Sequence, residues 1–369
     1  MNITFFVGNG FDLNLGLNTK YADFYPYFCE NANKSNMIRE WIENDGDILW
    51  ADLELSLGQH LAQVDISNQE KYYADKDELD ELLLSYLGEE QSKFVVPEEL
   101  SAAIADEMER SLNAIAEELN PEQKASIIKT FKAYVNEEYR YCFICFNYTN
   151  TLDRVVEITK RIKFPLSTHQ GNGKKKNTIV DSVTHIHGTV DANMILGVND
   201  ESQVNNNFLR DNTLFLRTFI KKEMNSSLGE GRTEAVQKIL DRSRIVCIFG
   251  MSLGQTDKMW WISLWEWLKK SENHKLIIFK RISPDLLKHK LPSKLVRLRE
   301  KHLNEFLKSA DVPERDIEPG ATVAVNLEKI KDRIFFSYNS DIFNFNEVLK
   351  ECQSAKTVQE NEPSENGRN

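Results

Sequence analysis

The chain has 369 residues, of which 41% are hydrophobic and 28% are charged. This provides enough apolar material for a sizeable core, in two or three domains at most or in one domain with a large insertion. The 46 basic and 57 acidic residues give a net charge of −11, which argues against broad nonspecific nucleic-acid binding because such binding depends on phosphate neutralisation.

The first elements along the chain are a strand and a long helical region. Residues 2–8 (NITFFVG) are β-branched and aromatic and end at a glycine, which predicts a short buried strand. Residues 21–32 fit a helix. From about 35 to 140, apolar residues recur at i, i+3 and i+4 with charges between them, which predicts a block of helices.

After residue 140, short apolar segments alternate with helical ones. Strands are predicted at 141–147, 183–188, 193–198, 243–250, 274–282 and 332–340. Helices are predicted at 149–162, 206–242 and 256–270. The segment 170–182, rich in glycine and lysine, is predicted to be a loop.

This order of elements predicts an α/β fold with a parallel sheet. Residues 1–34 and 141–350 would form the α/β domain. Residues 35–140 are too many for a simple crossover, so we interpret them as a helical insertion after the first strand. Residues 353–369 are polar and aperiodic, which predicts a disordered tail.

Two glycines and an asparagine, Gly8-Asn9-Gly10, follow the first predicted strand. Such a turn can bring backbone N–H groups close to a phosphate. The dinucleotide fingerprint needs a further glycine three residues after Gly10, where this chain has Leu13, and its next glycine is Gly16. A tight turn in which the glycines supply positive φ is an equally supported interpretation.

Asn147 ends the second predicted strand. Ligands in α/β sheets bind outside the carboxyl ends of the strands, and an asparagine there can hold a water or a ribose hydroxyl. The alternative is an asparagine that begins a turn or caps the next helix, and the local pattern alone favours that alternative.

His185 and His187 alternate with other residues, so a strand would place both imidazoles on one face beside Gly188. A histidine can act as a general base at cellular pH. Metal binding is the second interpretation, although the flanking Asp181 and Asp191 do not complete an obvious ligand set. The third is a partly buried histidine that bonds to the backbone.

A second small-residue turn follows the strand that ends at Gly250. Ser252, Gly254 and Thr256 precede a predicted helix, and backbone N–H groups at a helix start suit a phosphate. Asp257 near that start would complement the helix dipole, which is its structural alternative.

The five cysteines are unpatterned and odd in number, which favours reduced thiols and a cytoplasmic protein. We expect neither a signal peptide nor a membrane span. The pair in CFIC (142–145) would point to opposite faces of a strand, so no zinc site is expected. The tryptophans of 260–267 are interpreted as core, and GKKK (173–176) as a solvated loop.

Taken in order, these motifs resemble a known family. GNGFDLNLGLNTKYADF (8–24), with FNYTNTLD, HIHG and FGMSLGQTD, is similar to the AbiH family of bacteriophage abortive-infection proteins. The series also resembles, more loosely, the sirtuin-like superfamily, which includes bacterial defence enzymes that consume NAD. The helical block and the chain after about residue 282 carry none of this resemblance.

The resemblance implies an NAD site. In it, the turn of Gly8, Asn9 and Gly10 would hold the NAD phosphates, and Gly16 would match a later family glycine. Asp12 falls where many relatives have serine.

It also implies catalytic roles for Asn147 and for His187 with Gly188, whereas Thr149 replaces an aspartate of related enzymes. The residues implied to complete the NAD site are Gly250, Ser252, Leu253 and Asp257, and the first three would contact the adenosine part of NAD. The zinc ribbon of protein-deacetylating sirtuins is missing, which argues against a peptide deacetylase.

Cleavage of the nicotinamide–ribose bond passes through an oxocarbenium-like state, as in glycoside cleavage. Asn147 would position the water or the ribose, His187 would be the base, and no metal is required. The predicted function is therefore an antiphage effector that hydrolyses NAD to ADP-ribose and nicotinamide.

Two alternatives stay open. The chain would be a sensing module for NAD or ADP-ribose without catalysis, or a toxin that targets RNA or DNA. The second has support only from GKKK and the basic segment 288–302. We expect a homo-oligomer and a phage-derived trigger, sensed through the helical block or the C-terminal third, and we expect neither membrane nor nucleic acid as a partner.

Overall fold

The computed structural model describes residues 1–44, 53–287, 291–313 and 324–350. The strands are β1 (Asn2–Val7), β2 (Tyr139–Cys145), β3 (Ser167–Gly171), β4 (Lys174–His185), β5 (Ser243–Phe249), β6 (Lys275–Lys280) and β7 (Ile334–Tyr338). The predicted tail at 353–369 and the first residues of the basic segment, 288–290, lie outside the described ranges.

The helices before β2 are α1 (Gly10–Asn14), α2 (Tyr21–Asn31), α3 (Met37–Asn44), α4 (Leu53–His60), α5 (Gln69–Ser92), α6 (Ser101–Asn113) and α7 (Pro121–Ala133). Those after β2 are α8 (Thr151–Ile162), α9 (Asn207–Arg210), α10 (Thr213–Phe219), α11 (Lys221–Ser227), α12 (Arg232–Arg242), α13 (Lys258–Lys270), α14 (Pro284–Leu287), α15 (Pro292–Ser309) and α16 (Ala324–Lys331). Along the described ranges, no helix is both long enough and apolar enough to cross a membrane.

The described strands form one sheet in the order β3-β4-β2-β1-β5-β6-β7. Every neighbouring pair is parallel except β3 and β4. The six parallel strands, numbered along the chain, run 3-2-1-4-5-6, which is the doubly wound order. The predicted α/β class with a parallel sheet is confirmed, and the antiparallel edge strand is an addition. In this topology the order in which the strands are added to the sheet reverses between β1 and β5, and ligands bind at this point in such sheets.

Both faces of the sheet carry an apolar core. Successive residues of a strand point to opposite faces, so Phe5 packs into one core and Phe6 into the other. The Phe6 core contains the side chains of Trp260, Trp261 and Trp267, all fully buried. The tryptophans of α13 are therefore core residues, as predicted. Strands buried on both sides explain why β1 and β5 are nearly continuous apolar runs.

The described part of the block 35–140 is largely helical, as predicted. α6 and α7 pack against the sheet, because Met108 and Ile127 belong to the Phe5 core. α3 and α5 form a third core with the segment 196–220, in which Trp41 and Leu83 pack with Phe219. The block thus shares its cores with the rest of the chain, and its status as a separate domain stays a prediction.

Three predicted elements differ in the structure. The predicted loop 170–182 belongs to the β3–β4 hairpin, because Asn172 and Gly173 both take positive φ, as a two-residue hairpin turn requires. The predicted strand 193–198 is irregular and makes only a single bridge at its end. The predicted helix 206–242 is broken into α9, α10, α11 and α12.

Candidate functional site

A cleft lies at the carboxyl ends of the central strands, and its empty space is about 990 Å³ when the open solvent at its mouth is included. Gly8 follows β1 directly, and Gly250 follows β5. Asn147 and His187 come two residues after the ends of β2 and β4. All four line the cleft, so the parallel topology brings four motifs that are distant in sequence to one edge of the sheet.

Eight of the twelve predicted site residues line this cleft: Gly8, Asn9, Asp12, Asn147, His187, Gly250, Ser252 and Asp257. The other four, Gly10, Gly16, Gly188 and Leu253, are outside its lining. Gly16 and Gly188 take positive φ, which favours glycine for conformational reasons. Leu253 packs against the Phe6 core and its carbonyl accepts a hydrogen bond from the Ser309 hydroxyl at 2.9 Å.

The first glycine turn, residues 8–10, packs closely against the end of β5. The Gly8 N–H donates to the Phe249 carbonyl at 3.0 Å, and the Gly10 N–H donates to the Gly250 carbonyl at 2.8 Å. These two groups are thus not open to a phosphate, contrary to the prediction. Positive φ is not the explanation either, since Gly8 and Gly10 do not have it. The glycines are needed because the two turns approach too closely for a side chain.

A substitution in this contact has a calculable consequence. We expect Gly10→Ala to lower the free energy of unfolding by about 1–3 kcal/mol, the usual effect of overpacking, because the added Cβ would lie 2.4 Å from the Gly250 Cα. Gly88→Ala is the control, since no atom lies within 4 Å of the added carbon. It should be neutral or stabilising by up to about 1 kcal/mol, because Gly88 lies inside α5. Urea unfolding measures the free energy of unfolding of both variants. Equal midpoints for Gly10→Ala and wild type would refute the close contact.

Asn147 connects the ends of β1 and β2. Its side-chain Nδ2 donates to the Gly8 carbonyl at 3.2 Å, and its own carbonyl accepts from His185 Nδ1 at 3.1 Å. The helix-capping alternative is wrong, because α8 begins at Thr151 and the residue at its cap position is Asn150. The Asn147 side chain is buried, so its amide is held in place on the cleft wall.

Asp12 and Thr149, the two departures from the superfamily pattern, are partners of each other. The Thr149 hydroxyl donates to Asp12 Oδ2 at 2.7 Å, and the Thr151 hydroxyl donates to Oδ1. Burial raises the pKa of Asp12 to about 6, although both threonine hydrogen bonds act in the opposite direction. A buried carboxyl that titrates near neutral pH therefore lines the cleft.

His185 and His187 do not share one face, contrary to the prediction. β4 ends at His185, so the alternation of a strand does not extend to His187. His185 Nε2 bonds to Asp153 of α8 at 2.7 Å, whereas His187 Nε2 bonds to Asp257, just before α13, at 2.9 Å. Both ring nitrogens of His185 meet acceptors, which fits an imidazolium that orients Asn147 rather than a base.

His187 belongs to a buried network of charged groups. Asp257 Oδ1 also lies 3.2 Å from Lys221 Nζ, and Lys221 Nζ lies 2.6 Å from Glu54 Oε2. The Tyr148 hydroxyl donates to Glu54 Oε1 at 3.0 Å. All five residues line the cleft. Glu54, Lys221 and Tyr148 were missed as site residues. Asp257 immediately precedes α13 without a side-chain cap bond, and its carboxylate pairs with His187 and Lys221.

A family model described as Bacteriophage abortive infection AbiH matches residues 4–279. The chain belongs to this family. The matched range starts within β1 and ends within β6, so it contains the carboxyl ends of every strand that lines the cleft. Membership suggests a role in phage abortive infection. No curated protein matches the chain.

The charge state of the AbiH cleft follows from this network. Burial lowers the pKa of His187 to about 4, and the nearby Lys221 charge adds to the effect. Burial opposes ionisation of Asp257, but Lys221 and His187 outweigh it and hold the pKa of that carboxyl well below its usual range. At neutral pH, His187 is therefore neutral beside an ionised Asp257. No cluster of three metal-ligating side chains occurs in the described ranges of this AbiH member.

Proposed function

We propose that the cleft binds NAD and hydrolyses the bond between nicotinamide and ribose, as the effector of an abortive infection response. The observation that carries the proposal is the meeting of Asn147 and a neutral His187 at the switch point of a doubly wound sheet. His187 Nδ1 is buried and has no hydrogen-bond partner, so it is an acceptor that a bound substrate or water can use. The sirtuin-like relationship is part of this proposal.

The second glycine turn, residues 250–254, is the better place for the NAD phosphates. The backbone N–H groups of Met251, Ser252 and Gly254 donate no hydrogen bond among the described residues, unlike those of Gly8 and Gly10. Met251, Ser252 and Gly254 all line the cleft, and unpaired N–H groups in successive residues are suited to bind anions. The pyrophosphate is therefore assigned to this turn.

A second pocket extends the cleft toward β6. It shares Asn9, Gly250 and Met251 with the cleft, and its further walls include Lys280 and Arg281. Arg281 donates to Asn14 Oδ1 at 2.6 Å. Asn14 Nδ2 is buried without a partner, so the pocket offers an unused donor as well as positive charge. The adenosine half of NAD is assigned here.

The chemistry needs only groups of the chain and one water. The water oxygen bonds to the anomeric carbon of the ribose while the bond to the nicotinamide nitrogen breaks, and its electron pair stays on nicotinamide. His187 Nδ1 takes the proton of the water. Asn147 holds the ribose or the water in line, which contributes through orientation. The products are nicotinamide, ADP-ribose and one proton.

One observation favours the alternative of a binding module without catalysis. A general base works best when its pKa lies near the working pH, whereas the pKa of His187 is lowered to about 4. A base this weak suits a sensor of NAD or ADP-ribose. Release of nicotinamide distinguishes the two functions, since the sensor binds the dinucleotide and releases none.

Binding to the purified chain tests the site itself. Calorimetry with ADP-ribose should show saturable binding by the wild type. Arg281→Glu should weaken it about 10- to 100-fold, the effect of losing a hydrogen bond to a charged group. Arg297→Glu is the matched control, because Arg297 is exposed on α15 and lines neither pocket. If the wild type binds neither NAD nor ADP-ribose at millimolar concentration, the proposal is wrong.

A further inference from the structure

We propose that Lys221 and Glu54 are positioning residues that keep His187 neutral, with its proton on Nε2 and its lone pair on Nδ1. This inference rests on the proposed role of His187 as the base. The two residues come from different parts of the fold, since Glu54 lies on α4 in the helical block and Lys221 begins α11. Neither residue belongs to the motifs that carry the family resemblance.

The geometry leaves a single arrangement of protons. Asp257 Oδ1 is 2.9 Å from His187 Nε2 and 3.2 Å from Lys221 Nζ. An ionised carboxylate only accepts hydrogen bonds, so His187 Nε2 must carry a proton. A second proton on Nδ1 would create a buried donor, because that atom has no acceptor. It would also place a second buried cation next to Lys221.

Burial is the largest cause that opposes this second proton, and the Lys221 charge is the next. Asp257 acts the other way, since an anion beside an imidazole favours its protonated form. Lys221 shares the Asp257 oxygen and repels a positive imidazole. Arg232 of α12 acts in the same direction, while the Tyr148 ring packs beside the imidazole and is uncharged.

Glu54 holds the Lys221 ammonium in this place. Its Oε2 lies 2.6 Å from Lys221 Nζ, and its Oε1 accepts from the Tyr148 hydroxyl. The side chains of Glu54 and Lys221 are each only 6% exposed, so solvent cannot replace either partner. The helical block therefore contributes a residue on which the protonation of the base depends.

Nitrogen NMR of the imidazoles in the full-length chain, labelled with ¹⁵N-histidine, tests this inference. The His187 signal is assigned by its loss in His187→Gln. We expect the wild type to show the Nε2–H tautomer from pH 5 to 8 and to titrate near pH 4. In Lys221→Met the midpoint should rise by at least one pH unit, because the repelling charge is gone. Lys221→Arg should keep it below about pH 5.

Lys76→Met is the matched control. Lys76 is buried like Lys221 and pairs with a carboxylate, Asp80, at 2.6 Å, but it does not line the cleft. Its loss should leave the His187 titration unchanged. If Lys76→Met moves the His187 midpoint as far as Lys221→Met does, the shift reflects general loosening and the inference fails.

The readout is independent of NAD turnover. If no nicotinamide is released but Lys221→Met still raises the midpoint, the proposed function fails and the positioning role stands. If nicotinamide is released while wild-type His187 carries its proton on Nδ1 or titrates above about pH 6, the positioning role fails. If circular dichroism shows that Lys221→Met does not fold, the tautomer of wild-type His187 and the His187 titration in Lys221→Arg decide whether the positioning role holds.

Discussion

Extracts of phage-challenged cells that carry His187→Ala should release nicotinamide from NAD about 10²- to 10⁴-fold more slowly than wild-type extracts. This is the usual contribution of a general base, and no other imidazole lines the cleft among the described residues. Asn147→Ala should also slow the reaction, because its amide holds the ends of β1 and β2 together and is the group proposed to orient the substrate. Initial rates at matched protein levels measure both effects.

His302→Ala controls for loss of a buried histidine. His302 lies on α15, bonds through Nδ1 to the Tyr338 hydroxyl at 3.0 Å, and is absent from the cleft lining. Its variant should keep the wild-type rate. A His187→Ala extract that releases nicotinamide at the wild-type rate would show that His187 is not the base.

The second large effect concerns stability and pH, and it arises from Asp12. Burial raises the pKa of this carboxyl from 3.8 to about 6 in the folded chain. The folded state therefore holds the Asp12 proton more tightly than the unfolded state. The stability that the folded state gains from this protonated carboxyl is fully present below about pH 4 and is lost as the pH rises to about 6. The free energy of unfolding should fall by about 3 kcal/mol from this group across that window.

Asp12→Asn should remove this pH dependence. An amide has no charge to bury, and the Thr149 and Thr151 hydroxyls can rotate to suit it. Urea unfolding at intervals from pH 4 to 7 gives the free energy of unfolding as a function of pH. The curves of wild type and variant should diverge by about 3 kcal/mol over this range. Asp211→Asn, at an exposed carboxyl between α9 and α10, should follow the wild type. Parallel curves for wild type and Asp12→Asn would contradict the burial of Asp12.

The parts of the fold that depend on local sequence were predictable. β1 and β5 are apolar runs that end at glycines, and such runs predict buried strands in a parallel sheet. The family resemblance implied that four motifs form one site, and the structure places Gly8, Asn147, His187 and Gly250 in one cleft.

The errors arise where local sequence is ambiguous. The glycine turn at 8–10 was interpreted as a phosphate site or as a tight turn with positive φ, and only the position of Gly250 shows that the turn makes a close backbone contact. The predicted common face of the two histidines assumed that β4 continued to His187. The β3–β4 hairpin had a local signal, the Asn172-Gly173 pair, which the lysines beside it obscured.

The Glu54–Lys221 part of the charged network had no local signal. Glu54 follows Asp52 by two residues, and Lys221 opens the charged run KKE (221–223), so each looks like an ordinary charged residue of an amphipathic helix. Their pairing joins α4 to α11, two helices that are far apart in sequence. Only the three-dimensional arrangement shows that both residues border the same cleft as His187.

The most direct test of the central claim measures NAD, ADP-ribose and nicotinamide by mass spectrometry through a phage infection. Cells would carry the wild type, Asn147→Ala, His187→Ala or the control His302→Ala at equal protein levels. The infected cell supplies any trigger that a purified chain would lack. We predict that NAD falls, nicotinamide and ADP-ribose rise, and protection holds only with the wild type and the control. Protection that persists while NAD stays level would contradict an NAD-hydrolysing cleft.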